Sequence, residues 1–325
     1  MAAIAVLAVA FAVFAAIPAV ADDSDAASAE SITADQFLGL AKDGKIVLDK
    51  DYQLTGTVRV TSDLEIDLAK HTIMTDISRG CMFLVYGVSD VTLKIINGAL
   101  EASWTANAAN NNWYSVADVY GYKSLGDNKY ALTPGNELIF ENVNVTSECY
   151  AIGVTGEYYE IENSLRDNSW NDENAAVKLT ITGGNIIAGN GAAAVSTNGN
   201  YGGELITING ATLKSEEGSA IYAPSNAHWY VSGCTIEGIS GIDVRAGNVT
   251  VSDSTTIKYN GPAENKEGGD GPVAFGVGVS VMPVYGYSPA GTNVIIEDSV
   301  TFEKGDNATD QLFVSSFKPN FPNSV

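Results

Sequence analysis

Apolar and polar residues alternate along most of this chain in short phrases that return again and again in one form. Each phrase holds two apolar residues one position apart, a turn of Asn, Asp, Gly, Ser or Thr, and a further apolar residue. Copies occupy residues 93–100, 138–145, 179–186, 206–213, 229–236, 249–257 and 294–302. A period of two marks a strand with one buried face, and Ile181 and Ile208 are expected inside with Thr180 and Thr207 outside. A fragment this short cannot bury its apolar face alone, so the copies must stack, and the pattern predicts a solenoid.

A second set of apolar fragments lies upstream of most phrases, at residues 82–88, 115–121, 150–154, 192–196, 219–223, 241–245 and 273–279. One fragment and one phrase make one coil. Spacings of roughly 22 to 28 residues between Ala192 and Val251 fit a single turn of a stacked β-solenoid. Wider gaps elsewhere read as loops inserted into a coil, at 103–136 and 156–174. The pattern predicts an all-β domain over 45–325 with about eight coils, a rod on the order of 40 Å long at ~4.8 Å per strand.

Residues 45–73 read KIVLDKDYQLTGTVRVTSDLEIDLAKHTI. Leu64, Ile66, Leu68, His71 and Ile73 fall where the phrase VTIDLNGHTI commonly opens the stack, with Ala69-Lys70 in place of Asn-Gly. In this the chain resembles right-handed parallel β-helix proteins of the pectate-lyase-like class. Its later coils, such as 218–257, are similar to those of adhesin-like surface proteins of microbes. The resemblance spans 45–305 and concerns fold grammar, since this architecture hosts many functions.

Both ends of such a stack need covers, because exposed strand edges invite aggregation. At the amino end, 32–44 reads as a capping helix: Thr33 and Gln36 form a capping box, Ile32 and Phe37 a hydrophobic staple, and Gly44 the stop. Phe37, Leu40 and Ala41 share the face that would lid the first coil. At the other end, Leu312, Phe313, Phe317 and Phe321 are expected to plug the last coil.

Residues 1–21 read as a signal peptide, an apolar run closing on Pro18 and Ala19-Val20-Ala21. It lacks a positive leading segment, and it is long enough to remain as an anchor, so both outcomes stay open. The polar stretch 22–31 reads as a flexible linker. Secretion or display on the cell surface follows, with membrane contact only through that first segment if it is uncleaved.

The charge balance narrows the partners. With 39 acidic against 17 basic residues and a net charge of −22, binding to nucleic acid or to an anionic membrane surface is disfavoured. The same charge keeps an exposed rod soluble. Cys81, Cys149 and Cys234 are odd in number and lack metal-site spacing, so neither metal nor cofactor is expected. Cys81 and Cys149 read as equivalent positions two coils apart, about 9.6 Å, too far for a disulfide.

The resemblance implies what a catalytic version would carry: Ca²⁺-binding carboxylates with an Arg or Lys base in lyases, or paired carboxylates in glycoside hydrolases. Arginines stand only at 59, 79, 166 and 245, the Asn-Thr-Asp, Gly-His-Gly and Arg-Ile-Lys phrases of the hydrolases are missing, and Asp-Asp occurs only at 22–23, ahead of the predicted coils. Asp243 with Arg245 is the nearest acid–base pair, and its plain reading is an exposed ion pair on the coil surface. His71 reads as structural, and His228 as a turn residue without a partner. No catalytic residue is nominated. A non-catalytic surface protein is the leading expectation, with a polysaccharide lyase or hydrolase and a structural envelope component as alternatives.

Aromatic residues in the two insertions stand above this background. The first carries Trp104, Trp113, Tyr114, Tyr120, Tyr122 and Tyr130, and the second Tyr158, Tyr159 and Trp170. The insertions fall in adjacent coils, which places them on one face. Flat rings among Asn and Asp suit sugars, whose apolar faces stack while their hydroxyls take amide hydrogen bonds. Trp104, Trp113, Tyr114, Tyr158, Tyr159 and Trp170 are therefore the candidate ligand-binding residues, with glycans or cell-envelope proteins as partners. The competing reading is that the rings fold back onto the coil, and it fits Trp104 better than Trp113. Sequons at Asn144, Asn248 and Asn307 permit glycosylation.

Overall fold

The computed structural model describes residues 29–76, 80–103, 115–127, 129–158, 170–199, 201–261, 265–268, 271–274, 276–282 and 292–314. Strands dominate, and the α-helix among the described residues is the five-residue Ala34–Leu38. One sheet has nine strands in chain order: Val58–Arg59, Cys81–Val85, Ser115–Tyr120, Tyr150–Thr155, Val195–Thr197, Ser219–Ala223, Ser240–Val244, Val277–Val281 and Asp310–Val314. All its neighbours pair parallel.

An 18-stranded sheet supplies two further columns. Val177–Thr182, Tyr201–Asn209, Asn226–Ser232 and Gly247–Ser252 stack in parallel in one of them. Asn185–Ala188, Thr212–Ser215, Thr235–Gly238 and Thr256–Tyr259 stack in the other. The chain visits the three columns in turn and then begins again, so successive repeats lie on one another. This is the stacking of parallel strands that the phrase pattern predicts.

The polar turns inside the phrases do the bending. Residues at positive φ recur there: Ala69 and Lys70, Asn97, Asn142, Gly183 and Gly184, Gly210, Gly233, then Asp253 and Ser254. At Gly184 a Cβ would strike the backbone of Val143 in the repeat beneath, so only glycine fits. The first such turn uses Ala69 and Lys70, which lack that freedom, and the Asp67 carboxylate steadies it by accepting the Ala69 N–H at 3.0 Å.

Alternation along the strands delivers the core. Ile181 and Ile208 are fully buried, while Thr180 and Thr207 are partly exposed. In register, Ile181, Ile208, Val231 and Val251 form one ladder through four repeats. Identical environments in successive repeats select the same β-branched shape.

At the amino end Thr33 and Gln36 make both bonds of the capping box, and Phe37 is completely buried between Tyr52 and Phe83, ring centroids 6.4 and 6.1 Å away. The helix is shorter than its sequence suggests, ending at Leu38 with Gly39 as cap instead of Gly44, which leaves Leu40 exposed. A strand, Glu30–Thr33, precedes it and pairs in parallel with Tyr52–Thr55, so the stretch read as linker gives way to sheet at Glu30. At the far end Leu312 and Phe313 continue the nine-stranded sheet within Asp310–Val314 instead of plugging it, and Leu312 is half exposed. The upstream fragment expected at 273–279 forms as Val277–Val281, and Gly271–Ala274 pairs with Asn265–Gly268 as a hairpin.

Cys81, Cys149 and Cys234 form no disulfide among the described residues. Cys81 registers with Ser115 and thereby with Tyr150, so Cys149 sits one position before the equivalent site. No described helix is long and apolar enough to cross a membrane. Residues 1–28, with the expected signal segment, and Phe317 and Phe321 lie outside the described residues.

Candidate functional site

The outer face of the nine-stranded sheet becomes a site because alternation breaks at the start of its strands. Met82 with Phe83, Val116 with Ala117, and Ala151 with Ile152 are consecutive pairs that both enter the core. A strand that buries two successive residues turns its preceding side chain to the outside. The break brings Ser115 and Cys81 to the face that carries Asp118, and both act on its carboxylate.

Next to Asp118 in register stands Gly153, and beyond it Ser196. A Cβ on Gly153 would collide with Asp118 Oδ1, so the glycine makes the room that the carboxylate occupies. The result is a pocket of about 220 Å³, floored by Asp118, Gly153 and Ser196, walled by Tyr120, Tyr122 and Tyr150, with Asn198 also among its lining. Burial raises the Asp118 carboxyl to about 6, while the Ser115 hydroxyl and the Cys81 thiol pull the other way. Its side chain nonetheless keeps partial contact with solvent, so the group is both perturbed and reachable.

Tyr122 is the centre of a larger aromatic cluster. Its ring stacks on Tyr201 at 5.3 Å and meets Tyr86, Tyr120, Tyr130 and Tyr158 at 6.0, 5.7, 5.7 and 6.2 Å. Its hydroxyl lies 3.1 Å from that of Tyr201. These rings are all partly exposed, as a surface patch requires and a core does not. The Asp118 charge, followed by burial, pushes the Tyr120 hydroxyl up, and burial does the same for Tyr201. Both stay neutral at ordinary pH and keep a proton to donate.

The cluster is held by a hairpin in the first insertion, Tyr122–Gly126 against Lys129–Leu132. The Ser124 N–H donates to the Tyr86 hydroxyl at 2.6 Å, tying the hairpin to the repeat beneath. Its base is fixed by Asn136, completely buried, whose amide donates to the carbonyls of Val88, Tyr120 and Thr133 while its oxygen accepts the Val91 N–H. Three strand ends are therefore fastened to one side chain.

Of the residues expected to bind ligand, Tyr158 belongs to the cluster, and Tyr120, Tyr122 and Tyr130 from the first insertion join it. Trp170 does not. It is buried and lies against the His228 ring at 4.1 Å. His228 belongs to the strand Asn226–Ser232 and not to a turn, and it has a partner: its Nδ1 lies 2.6 Å from Asp172 Oδ1, while the Tyr230 hydroxyl donates to the other carboxylate oxygen at 2.9 Å. This clamp ties the end of the second insertion to the stack, and the two hydrogen bonds hold the Asp172 carboxyl low against its partial burial. Trp104, Trp113, Tyr114 and Tyr159 lie outside the described residues.

Asp243 and Arg245 are not the exposed pair their sequence suggests. Their side chains are only 4% and 2% exposed, joined by two bonds of 2.9 and 3.1 Å, with Ser280 donating to the same carboxylate at 2.9 Å. The pair belongs to the outer face of the nine-stranded sheet, but both charges are satisfied within it. Among the described residues no group of three or more His, Cys, Asp or Glu side chains is placed to hold a metal ion. Compared with known proteins, the chain matches no family model, no curated protein and no solved structure.

Asp118, Gly153, Ser196, Tyr86 and Tyr201 escape a sequence reading that looks for insertions and motifs. Asp118, Gly153 and Ser196 sit on three separate repeat strands, and only the register shows that they meet. A polar residue at an outward strand position is the commonest event in a solenoid, so Asp118 carries no signal until its neighbours are placed.

Proposed function

We propose that this protein is an exported, non-catalytic surface protein of the adhesin-like kind, a right-handed parallel β-helix of about eight coils that binds glycan in the pocket over Asp118. The observation that carries the reading is the convergence of Tyr120, Tyr122 and Tyr150 with Asp118, Ser196 and Asn198 around one small cavity. Rings supply a stacking surface, and the carboxylate, hydroxyl and amide groups supply the directional bonds that sugar hydroxyls need. Neighbouring repeats provide a rigid backing, so little ordering cost is incurred on binding.

A polysaccharide lyase or glycoside hydrolase is the competing reading, and Asp118 favours it in one respect, since a carboxyl that titrates near 6 suits a general acid. Glycoside hydrolysis needs a second carboxyl group facing the first. Among the described residues that line the pocket, Asp118 is the sole carboxylate. A glycan array probed with the mature chain, followed by reducing-end and unsaturated-product assays on every sugar that binds, tests both readings. Binding without product is expected. Product that disappears in Asp118→Asn would replace the binding reading with the catalytic one.

A further inference from the structure

We propose that the pocket recognises a glycan through a positively charged amine, so that its ligand is a sugar with a free, unacetylated amino group. This rests on the glycan reading above and adds the charge of the ligand. Asp118 brings a negative charge to the pocket floor, and the groups that act on it are a hydroxyl and a thiol, with no cationic side chain among the described residues. The described lining likewise contains no Lys, Arg or His. A cation that acts nearby is Arg59, on the strand Val58–Arg59 two strands from Asp118, whose charge reaches the Cys81 thiol but is not among the groups acting on Asp118, so within the lining the charge is left to what enters the cavity.

The walls favour the same occupant. Tyr120 and Tyr122 line the pocket, and an aromatic ring face attracts an ammonium group, more strongly where water is partly excluded. A carboxylate at the floor with rings at the side is a complementary setting for a compact cation. A neutral sugar would satisfy the hydroxyl and amide groups but leave the partly desolvated charge uncompensated. A uronic acid would be repelled by it. At longer range the net charge of −22 draws cationic ligands toward the chain.

The titratable groups that face Asp118 are the Cys81 thiol from the preceding repeat and Tyr120 from its own strand, and Tyr150 from the next repeat also lines the pocket. Burial holds the Cys81 thiol well above its ordinary range, and Tyr120 is raised as well. Asp118 is thus the group here that changes charge between pH 5 and pH 7.5.

Isothermal titration calorimetry with a β-linked glucosamine tetrasaccharide, its fully N-acetylated counterpart and a uronic-acid tetrasaccharide tests the proposal. The free-amine probe is expected to bind about tenfold or more tighter than the acetylated one at pH 6.5, where the sugar amine and Asp118 both carry charge, and that ratio should fall severalfold at pH 5 as Asp118 takes up a proton while the amine stays charged. Asp118→Asn should erase the preference, with a thermal melt confirming that the variant folds. Asp298→Asn, which removes the same charge from a distant exposed turn, should leave it intact. Equal binding of the two glucosamine probes, a preference for the uronic acid, or equal effects of the two substitutions would overturn the amine while leaving glycan binding in place. Absence of binding by all three probes, and by the sugars of the array, would overturn both.

Discussion

Glu204 offers the sharpest physical forecast. It lies in the strand Tyr201–Asn209 with its side chain fully buried. The Gly156 N–H donates to its Oε1 at 3.0 Å, and this bond and the nearby Ser225 hydroxyl only partly offset the cost of burying the carboxylate. Burial raises its carboxyl from 4.5 to about 7, and buried Glu157 adds to the rise. Because the folded chain holds this proton more tightly than the unfolded chain, the contribution to stability is complete below pH 4.5. It is lost as the pH climbs through 7. The difference corresponds to about 3 kcal/mol. Glu204→Gln keeps the acceptor for Gly156 and cannot ionise. In urea unfolding the stability advantage of the variant over the wild type should grow by about 2.5 kcal/mol between pH 5 and pH 8. Asp118, raised to about 6, adds a slope of the same sign to both proteins and cancels in the comparison. Parallel stability curves from pH 5 to pH 8, or a variant weaker at pH 8, would refute the reasoning.

Other consequences follow from single side chains. Asn136→Ala abandons the carbonyls of Val88, Tyr120 and Thr133 and the Val91 N–H at once and should cost about 3 kcal/mol or more in chemical denaturation. Arg245→Met strands the Asp243 carboxylate in the sheet, with Ser280 as its remaining side-chain donor among the described residues. The expected loss is about 3–5 kcal/mol, partly recovered when Asp243→Asn is added. Ile208→Asp puts a charge into the continuous core and should abolish cooperative unfolding, whereas Thr207→Asp, on the outward face of the same strand, should be mild in a thermal melt.

The repeat was legible because one physical demand recurs in every copy. A strand fragment that buries Ile181 or Ile208 and then turns must place an apolar residue at every second position and a turn residue after it. Both signals survive in one sequence. The amino-terminal cap was legible for a similar reason, since Thr33 and Gln36 act within one turn. What stayed hidden depends on side chains far apart in the chain. Nothing local distinguishes Asp118 from a solvated strand residue, and its partners arrive from 37 residues earlier at Cys81 and from the next repeat at Gly153, brought together by strand register and not by sequence distance. The Asp243–Arg245 pair looked exposed because an i, i+2 spacing places both on one strand face, but it does not tell whether that face is covered. Trp170 and Tyr158 looked alike in composition. Only the Asp172 clamp on His228 separates the ring that anchors the insertion from the ring that joins the tyrosine patch.

The most direct test of the account is occupancy of the pocket itself. Asn198 lines it with a partly exposed side chain, and a tryptophan there would fill the cavity without touching the core. For whichever glycan the wild type binds best, Asn198→Trp should lower affinity about tenfold or more at an unchanged melting temperature. Undiminished affinity in a variant that folds normally would show that the tyrosine-walled pocket is not where this protein meets its ligand.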